Sequence, residues 1–173
     1  AASARPPDRR RGRSSPRAGL RYHRRPMPAA NSAPAPASAA TRAARIAAIQ
    51  ALPAQARAAV AGLTPAQLDT PYRAGGWTVR QVIHHVADAQ MNALIRMKLV
   101  LAEEHPTLKP WDQDTWARLA DSTQAPVEES LAVLDGVHAR MARLLEAVAD
   151  SAWTRGAFHP EAGEQTLDSL VTT

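Results

Sequence analysis

The sequence predicts an all-α protein, a helical bundle that forms one domain. Three long segments carry apolar residues at the three- and four-residue spacing of amphipathic helices. Aromatic residues make up only 4% of the chain against 45% hydrophobic residues, so the core must consist mainly of Ala, Leu, Val and Ile, which suits helices. The 173 residues include no cysteine, which excludes disulfides, thiolate metal ligands and a cysteine nucleophile.

Residues 1–40 are predicted to be a disordered leader and linker that precede a bundle domain at 41–173. Nine arginines and one acid lie within residues 1–25, and a Pro/Ala-rich stretch follows at 26–40. The chain after residue 25 holds twelve basic and fifteen acidic residues, so the net charge of +5 comes from the leader. We therefore expect no nucleic-acid partner, apart from weak phosphate binding by the leader.

The first predicted helix runs from about residue 41 to residue 61. Its apolar stripe consists of Ile46, Ile49, Leu52, Ala56, Val60 and Leu63. Pro53 lies inside the helix and should kink or split it, because proline has no N–H to donate. Gly62 ends the helix, and Thr64 with Pro65 begins a short helical turn.

The second predicted helix, about residues 78–104, follows a Gly-Gly pair at 75–76. Thr78 is a good N-cap and Gln81 completes a capping box, while Pro106 prevents the helix from continuing. The apolar stripe of this helix consists of Val79, Val82, Ile83, Val86, Ala93, Leu94, Met97, Val100 and Leu101.

Two adjacent histidines, His84 and His85, fall on opposite flanks of this stripe. They do so because successive residues of a helix are rotated by about 100° around its axis. Either histidine could face a cleft between helices. The alternative for each is a structural histidine bonded to a carbonyl group, or a solvated one.

The connection after the second helix holds Trp111, Asp112, Asp114 and Trp116, and predicts a short helix over one end of the bundle. The two tryptophans are interpreted as packing anchors rather than ligand platforms. The two aspartates are interpreted as a solvated N-terminal helical turn, because at that spacing they face different directions.

The third predicted helix spans about residues 126–150, with Pro126 and two glutamates in its first turn. Its apolar stripe consists of Val127, Leu131, Leu134, Val137, Met141, Leu145 and Val148. His138 lies beside the stripe and is expected to be structural. Thr166 is predicted to cap a fourth helix, whose first core contacts would be Leu167, Leu170 and Val171. No sheet is expected.

The segment from about residue 46 to residue 170 resembles the YfiT-type branch of the DinB-like proteins, metal-dependent hydrolases and bacillithiol transferases. The resemblance rests on runs that occur in the same order: Gly62-Leu63-Thr64, Gln67-Leu68-Asp69-Thr70-Pro71-Tyr72-Arg73, Gly75-Gly76-Trp77-Thr78-Val79-Arg80-Gln81, His84-His85-Val86-Ala87-Asp88, Met91-Asn92, Pro106-Thr107, His159-Pro160-Glu161 and Thr166-Leu167-Asp168. Together with shorter matches these runs cover roughly three quarters of the chain.

The resemblance implies an antiparallel four-helix bundle that holds a divalent metal, zinc or nickel, through three histidines. His85 matches the metal ligand contributed by the second long helix. The other two ligands of the family form a His-x3-His motif on the last helix, and the sequence has no counterpart for them. The fourth helix is therefore expected to be largely missing, and the activity impaired. Candidates for the walls of the substrate cleft are Tyr72, Trp77, Asn92 and Arg96.

The resemblance further implies a small-molecule substrate, a low-molecular-weight thiol such as bacillithiol, and a homodimer. No apolar run approaches the roughly 20 residues that span a bilayer, so we expect a cytoplasmic protein without a membrane partner. The alternative to the enzyme is a non-catalytic helical remnant or interaction module. Without a fourth helix, an apolar groove along the first three helices would invite a partner helix.

Overall fold

The computed structural model describes residues 37–171, and three long helices dominate it. The helices are α1 (Ala39–Val60), α2 (Pro65–Leu68), α3 (Val79–Ala102), α4 (Gln113–Trp116), α5 (Ala120–Gln124), α6 (Val127–Glu146) and α7 (Leu167–Leu170). Nearly all of the predicted leader, residues 1–36, lies outside the described residues. Within the described part, no helix is long and apolar enough to cross a bilayer.

The helix starts confirm the capping signals of the sequence. The hydroxyl of Thr78 accepts from the backbone N–H of Gln81 at 3.2 Å, and the side-chain oxygen of Gln81 accepts from Thr78 N–H at 2.9 Å. The same reciprocal box forms at the starts of α2 and α7, where Thr64 and Thr166 are the caps. Each box satisfies donors that a helix start otherwise leaves unpaired.

The long helices end a little earlier than predicted. Helix α3 ends at Ala102, before Pro106, and α6 ends at Glu146, where the sequence predicted about residue 150. The chain after α6 instead forms a short 3-10 helix over Asp150–Thr154, in which Trp153 is buried. Helix α1 is not split at Pro53, contrary to one of the two expectations for that residue.

A small antiparallel hairpin follows the 3-10 helix, so the expectation of no sheet was wrong. Strand β1 (Gly156–His159) pairs with β2 (Gly163–Thr166), with His159 opposite Gly163. Ala157 and His159 are buried, while Phe158 between them is exposed. Strands of four residues are too short to show this alternation convincingly in a sequence.

Helix α1 runs antiparallel to α6. Arg57, near the end of α1, bonds to Asp135 in the first half of α6 at 2.6 Å, whereas Gln50, earlier in α1, bonds to Glu146 at the end of α6 at 3.0 Å. These contacts run in opposite order along the two helices, as two antiparallel neighbours require.

Helices α3 and α6, in contrast, run in the same direction, so the expected antiparallel arrangement of the long helices was wrong for this pair. His84 in the second turn of α3 contacts Ser130 in the first turn of α6, and Met97 near the end of α3 shares a cluster with Met141 in the second half of α6. Parallel neighbours need a long connection that carries the chain back to the starting end of the bundle. Residues 103–126, which include α4 and α5, provide that connection.

The core divides into two clusters along the bundle. The cluster at the start of α3 and α6 comprises Val60, Ile83, Ala87, Val127, Leu131 and Leu134. The cluster at their far end comprises Leu94, Met97, Val100, Leu108, Met141, Leu145, Trp153, Ala157, Leu167 and Val171. The first contacts of α7 therefore lie with the second cluster, as the sequence predicted for Leu167 and Val171.

His138 compensates for the proline inside α1. Pro53 has no N–H, so it cannot donate to the carbonyl oxygen of Ile49, four residues earlier in the helix. The Nδ1–H of His138 donates to that oxygen instead, at 2.6 Å. His138 is 1% exposed, and burial lowers its pKa although the bond to Ile49 acts in the opposite direction. The predicted structural role of His138 is thereby confirmed.

We expect His138→Leu to lower the free energy of unfolding by about 1–3 kcal/mol, because it leaves the Ile49 carbonyl unpaired. In a Pro53→Ala background the loss should be clearly smaller, since the new alanine N–H can donate to Ile49. Urea denaturation of the two single variants and the double variant measures the coupling. An equal loss in both backgrounds would contradict the compensation.

Candidate functional site

The ring of His85 lies between two tryptophans. The centroid of its imidazole is 4.6 Å from Trp77, with the planes tilted by 57°, and 5.5 Å from Trp111, with the planes stacked at 25°. Trp116 extends the cluster, 4.8 Å from Trp111. His85 itself is half-buried. The two indoles therefore restrict the orientation of the His85 ring.

No described residue forms a hydrogen bond with the His85 ring. Its Nδ1 is buried without a partner. Burial lowers the pKa of His85, while the charges of Asp88 and Asp114 raise it less. The imidazole is therefore neutral at neutral pH and keeps an uncommitted lone pair, which is the form that binds a metal or accepts a proton.

His84 has a structural role on the other flank of α3. It is 6% exposed, and its Nδ1 lies 2.7 Å from the hydroxyl of Ser130. Its Nε2 lies 3.2 Å from the carbonyl oxygen of Ala125. Both ring nitrogens thus have partners, and His84 ties α3 to the start of α6. The predicted opposition of the two histidines is confirmed.

The loop before α3 brings Trp77 to His85. The backbone N–H of Tyr72 donates to the carbonyl of Trp77 at 3.1 Å, which closes the loop into a narrow turn. A Cβ on Gly76 would lie 2.7 Å from the Arg73 side chain and 3.2 Å from its carbonyl oxygen, so this position needs glycine. The Gly-Gly pair of the sequence therefore positions an aromatic wall of the site.

Asp88 is the carboxylate one helical turn beyond His85. Burial raises its pKa, the charge of Asp121 raises it further, and the two histidines lower it. A carboxylate of raised pKa beside a free imidazole is typical of functional sites. The sequence analysis did not single out Asp88, although its spacing of three residues from His85 is a usable signal.

Of the four predicted wall residues, only Trp77 contacts His85. Tyr72 is 58% exposed, and the guanidinium of Arg73 lies over its ring. The amide of Asn92 donates to the carbonyl of Asp88 in its own helix. Arg96 belongs to a separate cluster with His159.

Trp111 is the wall residue that the sequence did not assign. The sequence interpreted it as a packing anchor, and it does pack, against Trp116, but its other face stacks on His85. Asp112 caps α4 by accepting from the N–H of Thr115 at 3.0 Å, and bonds to Thr115 lower its pKa. The interpretation of the aspartates as a helical N-terminal turn is thereby confirmed.

The described residues provide one candidate metal ligand rather than a metal site. The uncommitted ring of His85 suits a ligand. No group of three or more His, Cys, Asp or Glu side chains within residues 37–171 could hold a metal ion. His105 instead bonds to Glu164 at 2.8 Å, His138 bonds to the Ile49 carbonyl, and His159 contacts Arg96. The described residues therefore do not make up a metal centre by themselves.

A separate cleft of about 470 Å³ lies between α1 and α6. It is lined by Gln50, Pro53, Ala54, Asp135, His138, Ala139, Ala142, Arg143 and Glu146. None of these residues contacts His85 or its tryptophans. We place the candidate site at His85 and not in this cleft, because the His85 ring forms no hydrogen bond with a described residue and lies on the same helix as the half-buried carboxylate of Asp88, whereas the ring of His138 is bonded to the Ile49 carbonyl.

Comparisons with known proteins agree with this architecture. The family model of the DinB superfamily matches residues 48–173. A "Putative metal-dependent hydrolase" of Geobacillus thermodenitrificans (strain NG80-2) is 49% identical over 128 residues, which cover 74% of this chain and 71% of the relative. "Putative metal-dependent hydrolase YfiT" of Bacillus subtilis (strain 168) is 47% identical over 116 residues, 67% of this chain and 65% of YfiT.

A solved structure extends the agreement to the fold. YfiT from Bacillus subtilis, described as "a probable metal-dependent hydrolase with an unusual four-helix bundle topology", matches with a TM-score of 0.78 and 41% identity. The match covers 82% of this chain and 81% of YfiT. The predicted four-helix-bundle fold class is thereby confirmed. The chain belongs to the DinB superfamily, in its YfiT-type branch.

Proposed function

We propose that this protein is a metal-dependent hydrolase of the YfiT type, and that His85 is the metal ligand contributed by α3. The observation that carries the proposal is the half-buried His85 ring, which is neutral and has no hydrogen-bond partner among the described residues. The relatives supply the reaction class through their names. A divalent zinc or nickel ion, when bound, would supply Lewis-acid activation of a bound water or thiol.

The chain's own residues would orient the ligand and shape the cleft. Trp77 and Trp111 contact the His85 ring, which restricts its orientation and leaves it half-buried. The same burial lowers the pKa of His85, so the proton that would compete with a metal is weakly held. Asp88 places a carboxylate one turn away on the same helix, where it can hold or release a proton.

We further propose that the 173 residues by themselves bind metal weakly and have impaired activity. A catalytic site of this kind needs three protein ligands, and one is found among residues 37–171. The missing pair would be a His-x3-His motif on a helix that continues from α7. Two histidines four residues apart share one face of a helix and can meet His85 across the bundle.

The finer activity that we propose is S-transfer from a small thiol such as bacillithiol to a small-molecule electrophile, in a homodimer. The test compares the 173-residue chain with an extended variant in which α7 continues as a helix bearing His-x3-His. Each is loaded with zinc or nickel and assayed for conjugation of bacillithiol to a bimane electrophile, and for hydrolysis of ester and amide substrates. We expect conjugation by the extended variant, loss of it with His85→Ala, and little change with His105→Ala, an exposed histidine outside the site.

A non-catalytic helical module is the second candidate, favoured by the lack of a ligand cluster in the described part. Hydrolysis without conjugation would support the metal-dependent hydrolase and contradict thiol transfer. No metal-dependent reaction by the extended variant would contradict the enzyme and favour the module. Conjugation that survives His85→Ala would contradict the role of His85.

A further inference from the structure

Arg96 and His159 bring two side-chain nitrogen atoms within 3.2 Å of each other. Arg96 lies on α3, and one terminal nitrogen of its guanidinium, Nη2, is 3.2 Å from Nε2 of His159 at the end of β1. The same Nη2 donates to the carbonyl oxygen of Lys109 at 2.9 Å. His159 is 9% exposed, so its ring nitrogens depend on protein or ligand partners.

The turn between β1 and β2 determines which nitrogen of His159 carries the proton. The backbone N–H groups of Glu161 and Ala162 both donate to Nδ1 of His159, at 3.2 Å each. A nitrogen that accepts two hydrogen bonds has no proton of its own. In the neutral ring the proton is therefore on Nε2, the nitrogen that faces Arg96.

Nε2–H of His159 and an N–H of Arg96 then point at each other, which is a repulsive contact. In the other tautomer Nδ1–H would face the backbone N–H groups of Glu161 and Ala162, which makes two repulsive contacts instead of one. Protonating the ring does not help, and burial and the charge of Arg96 both lower the pKa of His159. In addition, Nε of Arg96 is buried and has no partner. Within residues 37–171, Nε–H of Arg96 therefore has no acceptor, and no hydrogen-bond acceptor contacts Nε2–H of His159.

We propose that an oxyanion, a carboxylate or phosphate group of a small molecule, accepts from Nε2–H of His159 and from the guanidinium of Arg96. Hydrogen bonds from arginine to such an anion are about twice as strong as neutral ones. The bound anion would separate the two donors and convert their repulsion into binding. Burial of the charged guanidinium lowers the pKa of Arg96, and a bound anion would offset that cost of burial.

The position of Arg96 makes this anion site a continuation of the His85 site. Arg96 follows His85 by eleven residues, which places it about 20° around α3 and about 16 Å along it. Lys109 and Trp111 show that one connecting segment touches both ends of this face. The inference rests in this respect on the proposed function: it assigns a carboxylate- or phosphate-bearing end to the small molecule that reacts near His85.

Glu161 is the competitor within the chain. Its charge raises the pKa of both Arg96 and His159, so its carboxylate is near enough to act on the site. An external oxyanion must compete with the negative charge of the Glu161 carboxylate. We therefore expect Glu161→Gln to strengthen binding of an added anion.

The test uses the metal-free 173-residue chain, with succinate and inorganic phosphate as separate probes in calorimetric titrations. We expect saturable binding of at least one probe, which identifies the anion as carboxylate or phosphate. Arg96→Gln and His159→Gln should each weaken that binding at least tenfold. Lys98→Gln, which removes one positive charge from the exposed face of the same helix, should change it less than twofold. Circular dichroism checks that each variant is folded.

The nitrogen-15 shifts of the His159 ring give a readout that does not depend on variants. We expect a protonated Nε2 and an unprotonated Nδ1 before the anion is added. A proton on Nδ1 would overturn the inference, as would no saturable binding of either probe, or equal losses in Arg96→Gln and Lys98→Gln. Binding that occurs only with Glu161→Gln would also overturn it, because the chain's own carboxylate and not an external anion would then occupy the site. Because the titrations use the metal-free chain and measure anion binding instead of turnover, this inference and the proposed function fail separately.

Discussion

Replacing Leu134 with alanine is expected to lower the free energy of unfolding by about 2–5 kcal/mol. Leu134 is fully buried in α6, in the cluster with Ile83, Ala87 and Leu131. The truncated side chain loses the transfer free energy of its methyl groups and leaves a cavity between α1, α3 and α6, helices that hold one another rigidly. Urea denaturation of both proteins measures the difference.

Ile95→Ala is the matched control for this experiment. Ile95 is an aliphatic residue of α3 that is 56% exposed, so its truncation should change the free energy of unfolding by less than about 1 kcal/mol. A loss below 1 kcal/mol for Leu134→Ala, or equal losses in the two variants, would contradict the placement of the core.

Local signals predicted the long helices well, because their causes are local. The capping boxes at Thr78 and Thr166 form as their spacing requires, and the apolar stripes of α3 and α6 become the two core clusters. The hairpin at Gly156–Thr166 was missed since its strands are short and its register depends on contacts with residues 106–108. Phe158 N–H donates to the carbonyl of Pro106 and its own carbonyl accepts from Leu108.

Long-range partners explain what the sequence could not predict. The parallel course of α3 and α6 depends on the path of a long connection, which periodicity does not reveal. Helix α1 continues through Pro53 because His138, which is far away in sequence, donates the hydrogen bond to the Ile49 carbonyl that Pro53 cannot donate. Two adjacent histidines of one helix were separated correctly by rotation alone, but which of them is bonded depends on Ser130 and Ala125.

In the aromatic wall of the candidate site, too, the local feature was predicted from the sequence and the long-range contact was not. Trp77 was predicted as a wall residue from the family resemblance and from its place beside the start of α3. Trp111 lies in an irregular segment, and its stacking on His85 depends on how that segment crosses α3. The contact between Arg96 and His159 likewise joins α3 to the hairpin, and no spacing in the sequence indicates it.

Tight metal binding should depend on His85 once two further ligands are supplied. Leu167, at the start of α7, lies in the same core cluster as Val100, and His85 precedes Val100 by fifteen residues, about 22 Å along α3. A helix that continues α7 must therefore run about fifteen residues before its histidines reach His85. Removing a residue that hydrogen-bonds to a metal ligand typically lowers metal affinity roughly 10- to 100-fold. Removing the ligand His85 itself should therefore lower the affinity more than roughly 100-fold.

Calorimetric zinc titration of the 173-residue chain, the extended variant with His-x3-His, and its His84→Ala and His85→Ala forms tests the central claim most directly. We expect weak or no binding by the 173-residue chain and tight one-to-one binding by the extended variant. His85→Ala should abolish the tight binding, while His84→Ala should retain it and lower only stability, because it leaves Ser130 and the Ala125 carbonyl unpaired. Tight stoichiometric binding by the 173-residue chain would contradict the ligand count, and loss of binding with His84→Ala but not His85→Ala would show that His84 is the ligand.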